Sequence, residues 1–130
     1  MSKIIAVDFD GTCVTREYPE VGADIPHAVE VLKKLNNEGV KIIVWTMRCG
    51  EHLDVHAKEW FENHGIEVWA YNSNPEQSSW TQSPKCYAQA YIDDAAIGCP
   101  LIYPVNGRRP YVDYIKIEKP LEETGFLESV

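Results

Sequence analysis

The chain has four cysteines, Cys13, Cys49, Cys86 and Cys99, and no two of them form a CxxC pair. That spacing argues against a zinc knuckle and against a thioredoxin-type redox motif. No apolar run approaches the roughly 20 residues that a membrane-spanning helix needs, so no membrane partner is expected. Met1-Ser2-Lys3 leads at once into a strand-like run. No signal peptide is therefore expected, and the thiols are expected free in a cytoplasmic protein. Basic residues are scarce: Lys and Arg number 12 against 20 Asp and Glu, a net charge of -8. A general binder of nucleic-acid backbones needs the opposite balance. His52 and His56 are four apart but lack the Glu-x-x-His pattern of a metalloprotease. There is no internal repeat and no low-complexity tract, so residues 1–130 are read as one domain.

What the chain does have begins at Lys3. Ile4, Ile5, Ala6 and Val7 are apolar without a break, as in a strand buried on both faces. The run drives into Asp8-Phe9-Asp10-Gly11-Thr12. Alternate strand residues share a face, which puts Asp8 and Asp10 on one side and Phe9 on the other. Two carboxylates that close repel, and a cation between them is expected. Residues 13–24 read as a loop, or a short hairpin, over the site. Pro26 suits a first helical turn, and Ile25, Ala28, Val29, Leu32 and Leu35 follow at helical steps until Gly39. Residues 40–45 read as a second strand ending at Thr46. Strand, helix and strand in that order make a right-handed parallel crossover.

A second helix is expected over residues 51–64, a third strand over 67–71, and a polar loop over 72–83. Ser83-Pro84-Lys85 reads as the start of a further helix. A short fourth strand is expected to end at Ile92, with Asp93 and Asp94 at its tip. Residues 100–103 read as a fifth strand. Arg108 and Arg109 sit in a turn where an anionic substrate is one reading and a solvated turn the other. Residues 111–117 alternate in the manner of a strand. In open parallel sheets ligands collect beyond the carboxyl ends of the strands. Asp8, Asp10, Thr46 and the Asp93-Asp94 pair are all expected there.

Taken in order, Asp8-x-Asp10-Gly-Thr, Thr46, Lys85 and Asp93-Asp94 resemble the four motifs of the haloacid dehalogenase superfamily of phosphohydrolases. The resemblance spans Asp8 to Asp94. It implies a three-layer Rossmann-like parallel α/β sheet with helices on both faces. It implies Asp8 as the nucleophile that forms an aspartyl-phosphate, and Asp10 as general acid and base. Thr46 would bind a phosphoryl oxygen and Lys85 would steady the transferring group. Mg²⁺ would be held by Asp8, by Asp10 through its carbonyl and by Asp93, with Asp94 either nearby or bonding through water. The intervals between motifs leave no room for a folded cap, so the chain resembles a small capless member. One departure is Ala95, where small members carry Arg.

Two other readings stay open on the residues alone. One is a phosphoacceptor domain of the receiver type, which also gathers acids, a Thr, a Lys and Mg²⁺ on a parallel sheet. Its acceptor Asp would come after the third strand, where this chain has Trp69-Ala70-Tyr71. The other is a catalytically silent member that binds Mg²⁺. The partner expected of the enzyme is a phosphorylated substrate, a small molecule or a macromolecule. Without a cap, the site is expected to be closed by a homo-oligomer or by the body of a large substrate.

Overall fold

The computed structural model describes residues 3–128. The first strand forms as the sequence predicts: β1 (Ile4–Val7) is buried along its whole length. It is one of the two inner strands of a four-stranded parallel sheet with β2 (Lys41–Val44), β3 (Ala70–Tyr71) and β4 (Ala90–Ile92), in the order β3-β2-β1-β4. The register sets Val7 beside Val44 on one flank and beside Ile92 on the other. Three strands therefore end at one edge, at Asp8, Trp45 and Asp93.

Helix α1 (Ala28–Asn37) makes the crossover from β1 to β2 and buries Ala28, Val31, Leu32 and Leu35. A π-helical turn, His52–Ala57, continues into α2 (Lys58–Asn63), which buries Trp60 and Phe61. A two-stranded antiparallel ribbon of β5 (Leu101–Ile102) and β6 (Tyr111–Val112) precedes α3 (Tyr114–Glu123). All three helices pack with Ile5, Val7, Ile42, Val44 and Ile92, so they share one face of the sheet. This is a small Rossmann-like α/β fold without a cap.

Two expectations are corrected here. The opposite face, carrying Ile4, Ala6 and Ile43, is covered by Cys86 and Ala88 rather than by a helix. The third layer is thus an irregular segment with one 3-10 turn, Gln77–Ser79. The reason lies in Gln77, a buried amide. Its Nε2 donates to the carbonyls of Ser83 (3.0 Å) and Lys85 (2.7 Å), and its Oε1 accepts the N–H of Tyr87 (2.7 Å). Backbone groups that a helix at Ser83 would use are thereby taken by one side chain. The fifth strand forms where expected, at Leu101–Ile102, in the separate ribbon. The alternating stretch 111–117 splits: only Tyr111–Val112 is strand, and Asp113 then caps α3 by accepting the Lys116 N–H. Tyr114, Ile117 and Leu121 carry the helical spacing that won.

Among the described residues no helix is long and apolar enough to cross a membrane.

Candidate active site

The chain leaves β1 in a tight turn. The N–H groups of Thr12 and Cys13 both bond to the Phe9 carbonyl, at 3.1 and 2.7 Å. Gly11 has φ of 85° and lies so close to Asp94 that a Cβ there would collide with its carboxylate. Only glycine serves both the left-handed turn and this close approach. Beyond it, Thr15 pairs with Ala23, and Val14 with Asp24, forming a short hairpin flap beside the sheet edge.

The sheet edge brings three of the expected acids together. Oxygens of Asp8, Asp93 and Asp94 lie within 4.8 Å of one another. Thr12, fully buried, sits among them. Its hydroxyl lies 3.4 Å from Asp8 Oδ2 and 3.3 Å from Asp94 Oδ1, and it accepts the Asp94 N–H at 3.2 Å. A hydroxyl has one proton to give, so it serves one carboxylate at a time. Burial, and then the charge of Asp93, push the Asp8 carboxyl up to about 8. Asp93 accepts the Ala95 N–H at 2.8 Å. Asp94 receives the Arg16 guanidinium from the flap, at 2.9 and 3.1 Å.

Asp10 is not part of that cluster through its carboxylate. Both its oxygens accept from Arg48, Nε at 2.8 Å and Nη2 at 2.7 Å. Only the main-chain carbonyl of Asp10 is left for a metal role. Arg48 is 1% exposed. It also donates to the carbonyls of Pro19 (3.1 Å) and Glu20 (2.9 Å), and its guanidinium stacks near the rings of Phe9 and Tyr18. Four hydrogen bonds thus tie the loop after β2 to the flap and to Asp10. Nothing in the sequence pattern marks Arg48, a lone cation in a turn.

Thr46 stands at the same edge, one residue beyond Trp45. Its N–H donates to Asn72 Oδ1 at 2.7 Å, and its hydroxyl oxygen accepts the Arg48 N–H at 3.2 Å. Asn72, at φ of 54°, donates in turn to the Arg48 carbonyl. Asn tolerates this left-handed conformation better than most residues, and it fixes the Thr46 loop from the end of β3.

Lys85 is not brought to the acids. It is exposed, with Nζ 5.8 Å from the centre of the Tyr91 ring, and no carboxylate of the described residues lies within 4.0 Å of it. The helix expected to aim it is absent, because Gln77 holds its carbonyl. Cys13 is fully buried, and burial with the nearby carboxylates raises its thiol well above the usual range. It is a protonated core thiol and no nucleophile. Cys49 is exposed.

No family model matches the chain, and no curated protein does. A solved structure of a conserved protein from Bacteroides thetaiotaomicron does match, at 37% sequence identity and a TM-score of 0.75. The match covers 95% of this chain and 93% of that one. The chain belongs to the same family as that conserved protein. The likeness is therefore one of whole folds at nearly equal length, and agrees with an α/β domain that carries no added cap.

Proposed function

We propose that the protein is a Mg²⁺-dependent phosphohydrolase that works through an aspartyl-phosphate on Asp8. The observation that carries this reading is the convergence of Asp8, Asp93 and Asp94 at the carboxyl edge of a parallel sheet. Three carboxylates this close are a poor arrangement without a cation: burial first, and then the charge of Asp93, raise the Asp8 carboxyl. The donors are hard oxygens, which suit Mg²⁺. Asp8, Asp93, Asp94 and the carbonyl of Asp10 would hold it. Bound there, Mg²⁺ supplies positive charge against the phosphoryl oxygens.

The chain's own residues divide the chemistry. A carboxylate oxygen of Asp8 attacks phosphorus, and the bond to the leaving oxygen breaks with its electron pair. Asp10 then takes a proton from the water that hydrolyses the aspartyl-phosphate, which returns Asp8 as a carboxylate. Arg48 takes one acceptor site on each Asp10 oxygen, so the water must be met by one of the remaining lone pairs. The Thr46 hydroxyl has its own proton to offer a phosphoryl oxygen. Arg48 is a positioning residue for Asp10. Lys85 reaches the phosphoryl group only by swinging in from the rim.

The test is hydrolysis of an aryl phosphate by the full chain. Activity is expected with Mg²⁺, is expected to vanish with EDTA, and should return when Mg²⁺ is restored. Undiminished activity in EDTA contradicts the reading.

The acid cluster also fixes a pH dependence. The unfolded chain releases the Asp8 proton near 3.8 and the folded chain near 8. Between those values the folded state binds more protons than the unfolded one. Asp8's contribution to metal-free stability is therefore complete below 3.8 and is lost as the pH rises through about 8. A divalent cation should oppose that loss. Mg²⁺ at ~100 times its Kd adds about 2.7 kcal/mol. Thermal unfolding in EDTA and in Mg²⁺, at a pH near each end of the window, checks it. The expected gain is larger at the alkaline end, and equal curves in EDTA and Mg²⁺ at that end would sink the cation site.

A further inference from the structure

A cleft of about 760 Å³ opens beside the acid cluster, between the flap and the loop joining β5 to β6. Its volume lies within the range of small-molecule sites. Thr15, Arg16 and Glu20 line it from the flap, and Arg108, Arg109 and Tyr111 from the ribbon. Three of the chain's four arginines therefore face one cavity, in a protein whose net charge is -8. None of the eight lysines lines it. A solvated surface has no reason to sort the two cations in this way. Arginine's planar fork, unlike the lysine ammonium, matches carboxylate and phosphate geometry.

The three guanidinium groups are placed differently. Arg16 bonds to Asp94, so it belongs to the acid cluster and to the cleft at once. Arg108 pairs with Glu17 across the mouth, between flap and ribbon. Arg109 has no carboxylate of the described residues within 4.0 Å. The cleft thus holds one uncommitted arginine, and a second whose partner is an exposed carboxylate that an incoming anion can replace.

We propose that this cleft binds a second anionic group of the substrate, a carboxylate or phosphate on the part that leaves. The substrate class is then a small phosphomonoester carrying a further anion. The proposal rests on the phosphohydrolase reading for the position of the first phosphate. A small ligand is favoured over a macromolecule because the flap and the ribbon wall the cleft on two sides, where a flat basic patch would suit a polymer. Arg16 links the two anion positions, and Arg108 and Arg109 hold the distal one.

Calorimetric titration of the full chain in Mg²⁺ with non-hydrolysable probes tests this. The probes are 3-phosphonopropanoate and 6-phosphonohexanoate, against propylphosphonate and hexylphosphonate. Each pair shares the phosphonate and differs in the terminal carboxylate. At least one carboxylate probe is expected to bind about 10- to 100-fold more tightly than its alkyl counterpart, with the advantage reduced by salt. Arg108→Gln with Arg109→Gln should bring that probe to the affinity of the alkyl one. Glu17→Gln should strengthen it by freeing Arg108. The corresponding bisphosphonates distinguish a second phosphate from a carboxylate as the preferred group. Equal binding within both pairs, or an advantage that survives the double variant, overturns the proposal. Turnover bears on the other reading separately: a carboxylate advantage in binding with no hydrolysis of any phosphomonoester would uphold the cleft and refute the phosphohydrolase.

Discussion

Asp8→Asn is expected to lower aryl phosphate turnover by on the order of 10⁴-fold or more, the scale on which removing a covalent nucleophile acts. The amide keeps the size of the side chain and one oxygen, but that oxygen is a poor nucleophile. Loss of activity through unfolding would be a trivial alternative, and the structure separates the two. Burial disfavours the ionised form of Asp8, and an amide never has to ionise there. The variant should therefore be at least as stable as the native chain at the alkaline end of the window, without metal. It should also gain less from Mg²⁺, having lost one of three carboxylates. Steady-state rates, thermal unfolding and intact mass to exclude deamidation check this together. Near-native turnover by the intact amide would remove Asp8 from the nucleophile's role.

Arg48→Met should cost about 3–5 kcal/mol of stability, the range found when one partner of a buried ion pair is removed. The loss has three parts. Asp10, whose side chain is 13% exposed, keeps a carboxylate without its partner. The carbonyls of Pro19 and Glu20 lose their donor. The flap loses the side chain that ties it to the β2 loop. In a domain of this size the fall in Tm should be roughly 10–20 °C. Arg48→Lys should fall between, because one ammonium cannot make four hydrogen bonds in a plane. Adding Asp10→Leu to Arg48→Met should recover part of the loss, since removing both charges leaves neither stranded. Thermal unfolding of the three variants measures it. An Arg48→Met protein that melts with the native chain would mean that the pair holds nothing.

How much of this was legible in the residues differs from element to element. β1 and the acids after it were legible, because a four-residue apolar run has one way to be buried and a period of two assigns the faces of Asp8, Phe9 and Asp10. Asp93 and Asp94 were legible by the same rule at the end of β4. α1 was clear from its spacing. The covering of the second sheet face was not, because Ser83-Pro84-Lys85 is a sound helix start by local rules. A buried Gln77 six residues earlier overrides it, and side-chain capture of backbone groups leaves no periodic trace. α3 was hidden by an alternation of apolar and polar residues that fits a strand and a helix equally over so short a stretch.

Within the site, Thr46 was found from its place after a strand. Arg48 and Arg16 were missed because their partners are 38 and 78 residues away in the chain. Pairings of that kind are made by tertiary folding and carry no local signature. Lys85 is the opposite case, a residue found by its position in a motif that the fold leaves on the rim. The guanidinium beside the acid pair comes from Arg16 of the flap, where Ala95 itself offers none.

The proposed mechanism turns on a covalent phosphoryl group on Asp8 that Asp10 helps to remove. General base assistance is typically worth about 10² to 10⁴ in rate. An aryl leaving group departs well unaided, so losing Asp10 should slow hydrolysis of the intermediate more than its formation. The measurement is intact-protein mass after rapid acid quench during turnover of an aryl phosphate, with fragmentation to locate the group. Asp10→Asn should accumulate one phosphoryl group on Asp8. The native chain should carry little of it, and none once the substrate is spent. A native chain that stays phosphorylated on Asp8 for minutes after substrate is exhausted would contradict the hydrolase and favour a receiver-type phosphoacceptor. Turnover without a phosphoryl group on Asp8 in either form would contradict the covalent route.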